Sequence, residues 1–577
     1  MMATSSLLGG SDGAETPMLD TAVDGAVDYK GRPAWRSISG GWRSAAFTIG
    51  VEVAERFAFY GIASNLITYL TGPLGQSTAT AAANVNAWNG AASLLPLLGA
   101  FVADSFLGCY RTIVVASLFY ILGLGLLTLS AFAPSSSGSD CETNDITSCS
   151  PPLFQVISFF FSLYLVAFAQ GGHKPCIQAF GADQFDGEHP EECKAKSSFF
   201  NWWYFGISMG SLVTMSIVSY IQDNLSWALG FGIPCIAMVV ALLIFLLGTT
   251  TYRFSIPHNE KGPFVRIGRV FVAAFRNRRA TTSSAIGTEE ESGGFLLHQN
   301  SEQFKFLNKA LIASNHLNEE YGRVCSVAEV EEAKAVLRLV PIWTTCLIFA
   351  IVFAQPSTFF IKQGATMERT VFSGFEIPSA SLRCIISLAI LIFVPIYDRI
   401  LVPIARTFTE NPSGITVLQR IGTGIFLSIF TMIIAALVEI KRLQISKEYN
   451  LVDKPSSTIP MSIWWLVPQY LVLGIADVFT VVGMQEFFYD QVPKELRSIG
   501  LALYLSVIGV GSFLSSFLVS VIDKASGGDG RDSWFSNNLN RAHLDYFYWL
   551  LAGLSGIGLV AYLHFARSYI YTRKVKK

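Results

Sequence analysis

Twelve apolar stretches, each about long enough to cross a bilayer as a helix, decide what this chain can become. They fall near 44–70, 82–104, 112–133, 153–176, 198–221, 226–250, 336–360, 377–397, 418–438, 461–483, 497–520 and 544–567. Backbone polar groups in hydrocarbon must bond within their own segment, so continuous apolar runs of this length become helices. Of 577 residues, 51% are hydrophobic and only 14% are charged. Soluble domains carry about a quarter charged residues, so the chain is read as an all-α membrane protein. A net charge of -1 excludes a nucleic-acid binder driven by overall basicity.

An even number of spans puts both termini on one side. Lys/Arg near Arg111, Lys194, Lys196, Arg399, Arg406, Lys494 and Arg497 contrast with their absence from 71–81 and 134–152. The positive-inside rule then makes both termini cytosolic, in the plasma membrane or the vacuolar membrane. Lys441, Arg442, Lys447 and Lys454 run against this rule, since they fall in a non-cytosolic loop. The division expected is a disordered cytosolic tail 1–43, a six-helix bundle 44–250, a cytosolic linker 251–335 with amphipathic helices, a second six-helix bundle 336–567 and a basic tail 568–577. The tail is polar, with no signal-peptide core. In the linker, Arg266, Arg269 and Arg276 share a helical face with phenylalanines opposite. That pattern fits a helix on the inner leaflet, or one docked on the bundle. Ser326-Val-Ala-Glu329 has the spacing of a capping box that starts a helix feeding span seven near Pro341. Nine cysteines are scattered without metal-ligand spacing, so no metal or cofactor is expected. Cys141 and Cys149 share a loop and either pair there, if it faces an oxidising compartment, or stay free.

Inside the first span Glu52, Glu55 and Arg56 stand at i, i+3 and i+4 on one helix face, with Tyr60 a turn later. Charges at such depth cost several kcal/mol unless they face a bundle interior or a water-filled cavity. The choice lies between a proton relay beside a substrate path and a purely structural ion pair. Span four ends in Gln170-Gly-Gly-His-Lys-Pro-Cys-Ile-Gln178, poor helix chemistry that suggests a bend with Lys174 held inside. Span ten carries Asp477 and Glu486 on opposite faces, and Glu486 is taken as the one facing the centre. At about 1.5 Å per residue, Lys174 and Glu486 share the depth of the first-span charges, so a Lys174–Glu486 pair between halves is expected. Arg383, early in span eight, either reaches the outer cavity or snorkels to the interface. Between spans two and three, Asp104, Gly108 and Arg111 form a tight turn that resembles the cytosolic loop motif of the major facilitator superfamily.

Together these residues resemble the plant nitrate/peptide transporter family, the plant branch of the proton-dependent oligopeptide transporters within that superfamily. The resemblance rests on Glu52-Val-Ala-Glu-Arg56, Gly171-Gly-His-Lys-Pro175, Phe180-Gly-Ala-Asp-Gln-Phe-Asp186, Phe199-Phe-Asn-Trp-Trp-Tyr204 and Glu486-Phe-Phe-Tyr-Asp490. Asp24-Gly-Ala-Val-Asp28 and Lys362-Gln-Gly364 look most like its fifth subfamily. The resemblance implies the major facilitator fold of two six-helix bundles. It also implies proton coupling through Glu52, Glu55 and Arg56, and a charged pair of Lys174 with Glu486 across the cavity. Tyr60, Asn86, Trp88, Asn89, Asn201, Trp202, Phe353 and Gln485 are candidates for lining a pocket. The family's nitrate-linked histidine is matched here by Phe353, which cannot donate to an anion.

The function expected is a proton-coupled symporter of a small solute such as nitrate, a di- or tripeptide, a plant hormone or a glycoside. The alternative is a ligand-sensing receptor of the same fold that transports little. No HExxH and no nucleophile–base pair occur in a span, so an intramembrane enzyme is not expected. The partners expected are the solute, the proton and the lipid bilayer; oligomeric state and substrate identity stay open.

Overall fold

The computed structural model describes residues 22–132, 152–186, 189–255, 263–278, 304–311, 325–372, 374–409, 415–492, 497–527 and 532–569. The Cys141/Cys149 loop, the first 21 residues, most of the Ser/Gly-rich part of the linker, Lys494 and the basic tail lie outside them. The first half contains α1 (Gly41–Ala63), α2 (Thr78–Val102), α3 (Cys109–Phe132), α4 (Leu153–Ala182), α5 (Pro190–Val213) and α6 (Trp227–Leu247). After α7 (Pro263–Arg276) come α8 (Val327–Phe353), α9 (Cys384–Ile396), α10 (Val417–Glu448), α11 (Val467–Asp490), α12 (Arg497–Ser526) and α13 (Leu544–Ser568).

Among the described residues, ten segments are long and apolar enough to cross a membrane. The two others needed for the expected twelve, α1 and α5, fall short for different reasons. α1 holds Glu52, Glu55 and Arg56 within its length, and α5 opens on the polar run Pro190-Glu-Glu-Cys-Lys-Ala-Lys196. Both nonetheless pack among the other helices of the first half, α1 against α4, α5 and α6. Large apolar side chains face outward, as Leu122 and Leu129 of α3 and Phe154, Phe161 and Phe168 of α4 do, whereas Glu52, Glu55 and Arg56 are buried. That inversion is what lipid as solvent demands.

One sequence expectation needs correction. Residues 22–35 are not disordered: β1 (Ala22–Val27) pairs antiparallel with β2 (Pro33–Trp35) and with β3 (Phe254–Ser255), which follows α6. The strand partner lies far along the chain, and polar clamps fix the sheet to the bundle. Arg36 pairs with Asp186, Arg253 Nη1 donates to Glu192 Oε2 at 2.7 Å, and the Gln184 amide joins the Arg253 backbone in both directions.

For α7 the docked alternative holds. Ile267, Val270 and Ala274 are buried in the same cluster as Val330, Ala333 and Leu339 of α8, and Arg269 and Arg266 meet Glu329 and Glu332. Opposite charges along α8 select docking. The capping box forms as expected: Ser326 and Glu329 close it (3.2 and 2.9 Å), and α8 runs unbroken from Val327 into the span.

Two of the basic residues that broke the topological pattern, Lys441 and Arg442, have a physical account. α10 continues to Glu448, and Arg442 is completely buried there against Glu439, with Nη2–Oε1 2.6 Å and Nε–Oε2 2.8 Å. Arg442 further donates to Asn540 Oδ1 and the Leu539 carbonyl, while Lys441 sits 3.7 Å over the Trp465 ring. Arg442 is neutralised and Lys441 stacked, so these two carry little weight in orienting the chain.

The two halves meet at the end remote from both termini. Asn86 Nδ2 donates to Ser515 Oγ (3.0 Å), Ser516 Oγ to the Ala83 carbonyl (2.9 Å), and Thr78 N to Asn537 Oδ1 (2.9 Å). Lys362 reaches Thr71, Ser381 the Met215 carbonyl and Arg383 the Ala63 carbonyl. Small residues let α2 and α12 approach: a Cβ at Gly90 would stand 2.8 Å from the Phe513 ring, and one at Gly509 2.7 Å from Leu94.

Candidate functional site

α1 places its charges with a regular helix over Gly41–Ala63, so the i, i+3, i+4 spacing holds. Arg56 Nε lies 3.2 Å from Glu52 Oε1 and donates to Glu55 Oε2 at 2.6 Å, while Nη2 makes an ion-pair contact with the same Oε2 at 2.5 Å. The Tyr120 hydroxyl, from α3, donates to Glu55 Oε1 at 3.3 Å. Both Glu55 oxygens are therefore bonded. Glu52 differs: its Oε2 is buried with no hydrogen-bond partner. An unpaired buried carboxylate oxygen is costly, and a proton there removes the charge of Glu52 while its Oε1 can still accept from Arg56.

Lys174, half-buried on α4, feels the charges of Glu52, Glu55 and Arg56 but forms no direct ion pair with them. The group thus sets two carboxylates against two cations. The glycines before Lys174 do not break α4, which is helical through Ala182 with Pro175 inside it. They let α4 and α2 touch: a Cβ on Gly99 would stand 2.0 Å from the Gly171 carbonyl oxygen. His173 is buried beside the Tyr120 ring at 6.5 Å, and neither ring nitrogen is hydrogen-bonded.

The expected Lys174–Glu486 pair is not formed. Glu486 lies 3.3 Å from Arg420 Nη1, within the second half, and is 42% exposed. Arg420 also donates to the Val478 carbonyl (3.0 Å) and lies over the Tyr397 ring. The cation that reaches Glu486 comes from α10, a neighbouring helix of the same half. Asp477 is buried on the other side of α11, with Oδ1 unbonded.

The candidates for lining a pocket separate. Tyr60 is half-buried against Phe59, Phe353 is half-buried against Phe349, and Trp202 and Gln485 are exposed. Asn86 lines nothing: it is fully buried in the seam between α2 and α12, where its amide meets Ser515. Trp88 is packing, its indole donating to the Leu163 carbonyl and its ring stacked on Phe59. The side chains of Asn201 and Asp104 lie outside the description. The expected loop is a π-helical turn over Ala103–Leu107 that ends at Gly108, whose φ of 73° requires glycine, with Arg111 exposed beyond it. Arg383 neither snorkels nor stands free, since Nη1 donates to the Ala63 carbonyl at the end of α1 (3.1 Å). Sequence reasoning missed Tyr120 and Arg420; each reaches its carboxylate from another helix, and only the charge of Arg420 inside a span was a signal.

Against known proteins, residues 110–535 match the family model described as "POT family". The chain belongs to the POT family. In Arabidopsis thaliana, Protein NRT1/ PTR FAMILY 5.10 is 64% identical, with 98% of this chain and 99% of that protein covered. NRT1/ PTR FAMILY 5.13 is 58% identical, over 97% and 99%, respectively. Among solved structures, an auto-inhibited POT family peptide transporter superposes with a TM-score of 0.70 at 21% identity, covering 93% of this chain and 99% of that one. The POT family transporter PepTSo gives 0.67 at 22%, over 91% and 98%. These fix the fold as that of POT transporters. The protein is a multi-pass membrane transporter and not an enzyme.

Proposed function

We propose that this POT family member is a proton-coupled symporter of a small solute, working by alternating access with both termini cytosolic. One observation carries the reading: a buried Glu52–Arg56–Glu55 cluster in which only Glu52 keeps an unbonded oxygen, with Lys174 close by. Glu52 Oε2 takes the proton. Arg56 then loses half of its counter-charge, and the local balance of two anions and two cations becomes one against two. An anionic or dipolar solute restores that balance. The inter-half bonds at the remote end describe a state closed there, and the exposure of Glu486 and Gln485 fits access from the side of the termini. Proton and solute promote exchange only in so far as they bind the two states differently.

The test is uptake into proteoliposomes holding the full chain, across a panel of nitrate and dipeptides, with and without an imposed pH gradient. Accumulation that follows the gradient supports symport. Solute flux equal with and without the gradient refutes it, and ligand binding with no flux would favour the sensing alternative.

A further inference from the structure

Arg383 stands out among the charges that the coupling cluster leaves unused. It sits just before α9, deep between the halves, where a lone cation ordinarily needs an anion. The groups that act on it are Tyr60, Tyr470 and Cys384, with no carboxylate among them. Its Nη1 is committed to the Ala63 carbonyl, a C-terminal helix oxygen with no onward partner in α1. Its Nε and Nη2 make no bond among the described residues, and neither is sealed from solvent. These two nitrogens form the edge of a guanidinium that grips a planar oxyanion with two parallel hydrogen bonds. Tyr470, the phenol that shares its field, has a fully buried hydroxyl with no hydrogen-bond partner, so it does not answer the Arg383 charge.

We propose that the Nε/Nη2 edge of Arg383 is a binding site for the planar oxyanion of the transported solute, either a carboxylate or nitrate. Nη1 stays on Ala63, so bound anion and closed remote seam are held by one side chain. Tyr60, one turn before Ala63 on α1, flanks the site, which links it to the helix that carries Glu52. The inference deepens the symport reading by naming the chemistry of the cargo.

The test is equilibrium binding to the purified full chain without any gradient, so that a failure of proton coupling leaves it readable. The probes are sodium nitrate, sodium chloride, alanyl-alanine and alanyl-alanine amide. Wild type is expected to prefer nitrate over chloride, or the free-acid dipeptide over its amide; which preference appears names the source of the oxyanion. Arg383→Gln should weaken the preferred probe at least tenfold. Arg383→Lys keeps a charge and one donor to Ala63 but loses the fork, so it should lose the preference for the planar anion while keeping the wild-type melting temperature. Wild-type affinities in Arg383→Gln, an unchanged preference in Arg383→Lys, or a wild type with neither preference would overturn the proposal.

Discussion

Glu486 Oε2 lies 3.3 Å from Arg420 Nη1, so the acidic group of α11 is answered within its own half and Lys174 is left to the cluster on α1. Mutational coupling should follow this division. In a double-mutant cycle on thermal stability, Arg420→Ala with Glu486→Gln should show an interaction of about 0.5–3 kcal/mol, discounted toward the lower end because Glu486 is 42% exposed. Lys174→Ala with Glu486→Gln should add to within about 0.5 kcal/mol. Coupling of the second pair but not the first would contradict the assignment.

The contact between α2 and α4 leaves no room at Gly99. Gly99→Ala would set a methyl 2.0 Å from a backbone oxygen that cannot swing away, whereas nothing lies within 4 Å of a Cβ on Gly125. Gly99→Ala should lower stability by roughly 1–3 kcal/mol, as overpacking does, and Gly125→Ala should be neutral or slightly stabilising. Melting curves of the two purified variants make the comparison.

Glu192 anchors the N-terminal sheet at the face that carries the termini. Partial burial alone would raise its carboxyl, but hydrogen bonds from Arg253 and from the Asp186 backbone N–H (2.6 Å), with the charge of Arg36, hold it below its ordinary value of 4.5. A depressed folded-state pKa stabilises the anchored form above the ordinary carboxylate range and ceases to do so as pH falls through the folded value. Proteolysis near residues 22–36 should therefore increase on acidification below the ordinary carboxylate value of 4.5. In Glu192→Gln it should already be increased at neutral pH, with a flatter pH response.

Much of the site was open to reading because its signals are local. Three charges at i, i+3 and i+4 on an apolar helix announce both their shared face and their burial, and Ser326 with Glu329 announces the start of α8. What escaped depends on distant partners. Arg420 is 66 residues from Glu486 and Tyr120 is 65 from Glu55, and neither spacing carries a helical period. The polar segment 22–35 reads as tail until β3, beyond the whole first half, supplies its ladder. Asn86 has the composition of a pocket residue, and only the approach of α12 turns it into a seam.

The account turns on the proton residing on Glu52, the one carboxylate of the cluster with a free oxygen. Glu52→Gln mimics the protonated form permanently and preserves the size of the side chain. Uptake should be measured in proteoliposomes at fixed inner pH while the outer pH is stepped from 7.5 to 5.5, with exchange between equal solute pools as the control for folding. The account predicts that Glu52→Gln loses gradient-driven accumulation by at least about tenfold, equivalent to about 1.4 kcal/mol, while exchange persists. Accumulation in Glu52→Gln that still rises with the gradient as in wild type would contradict it.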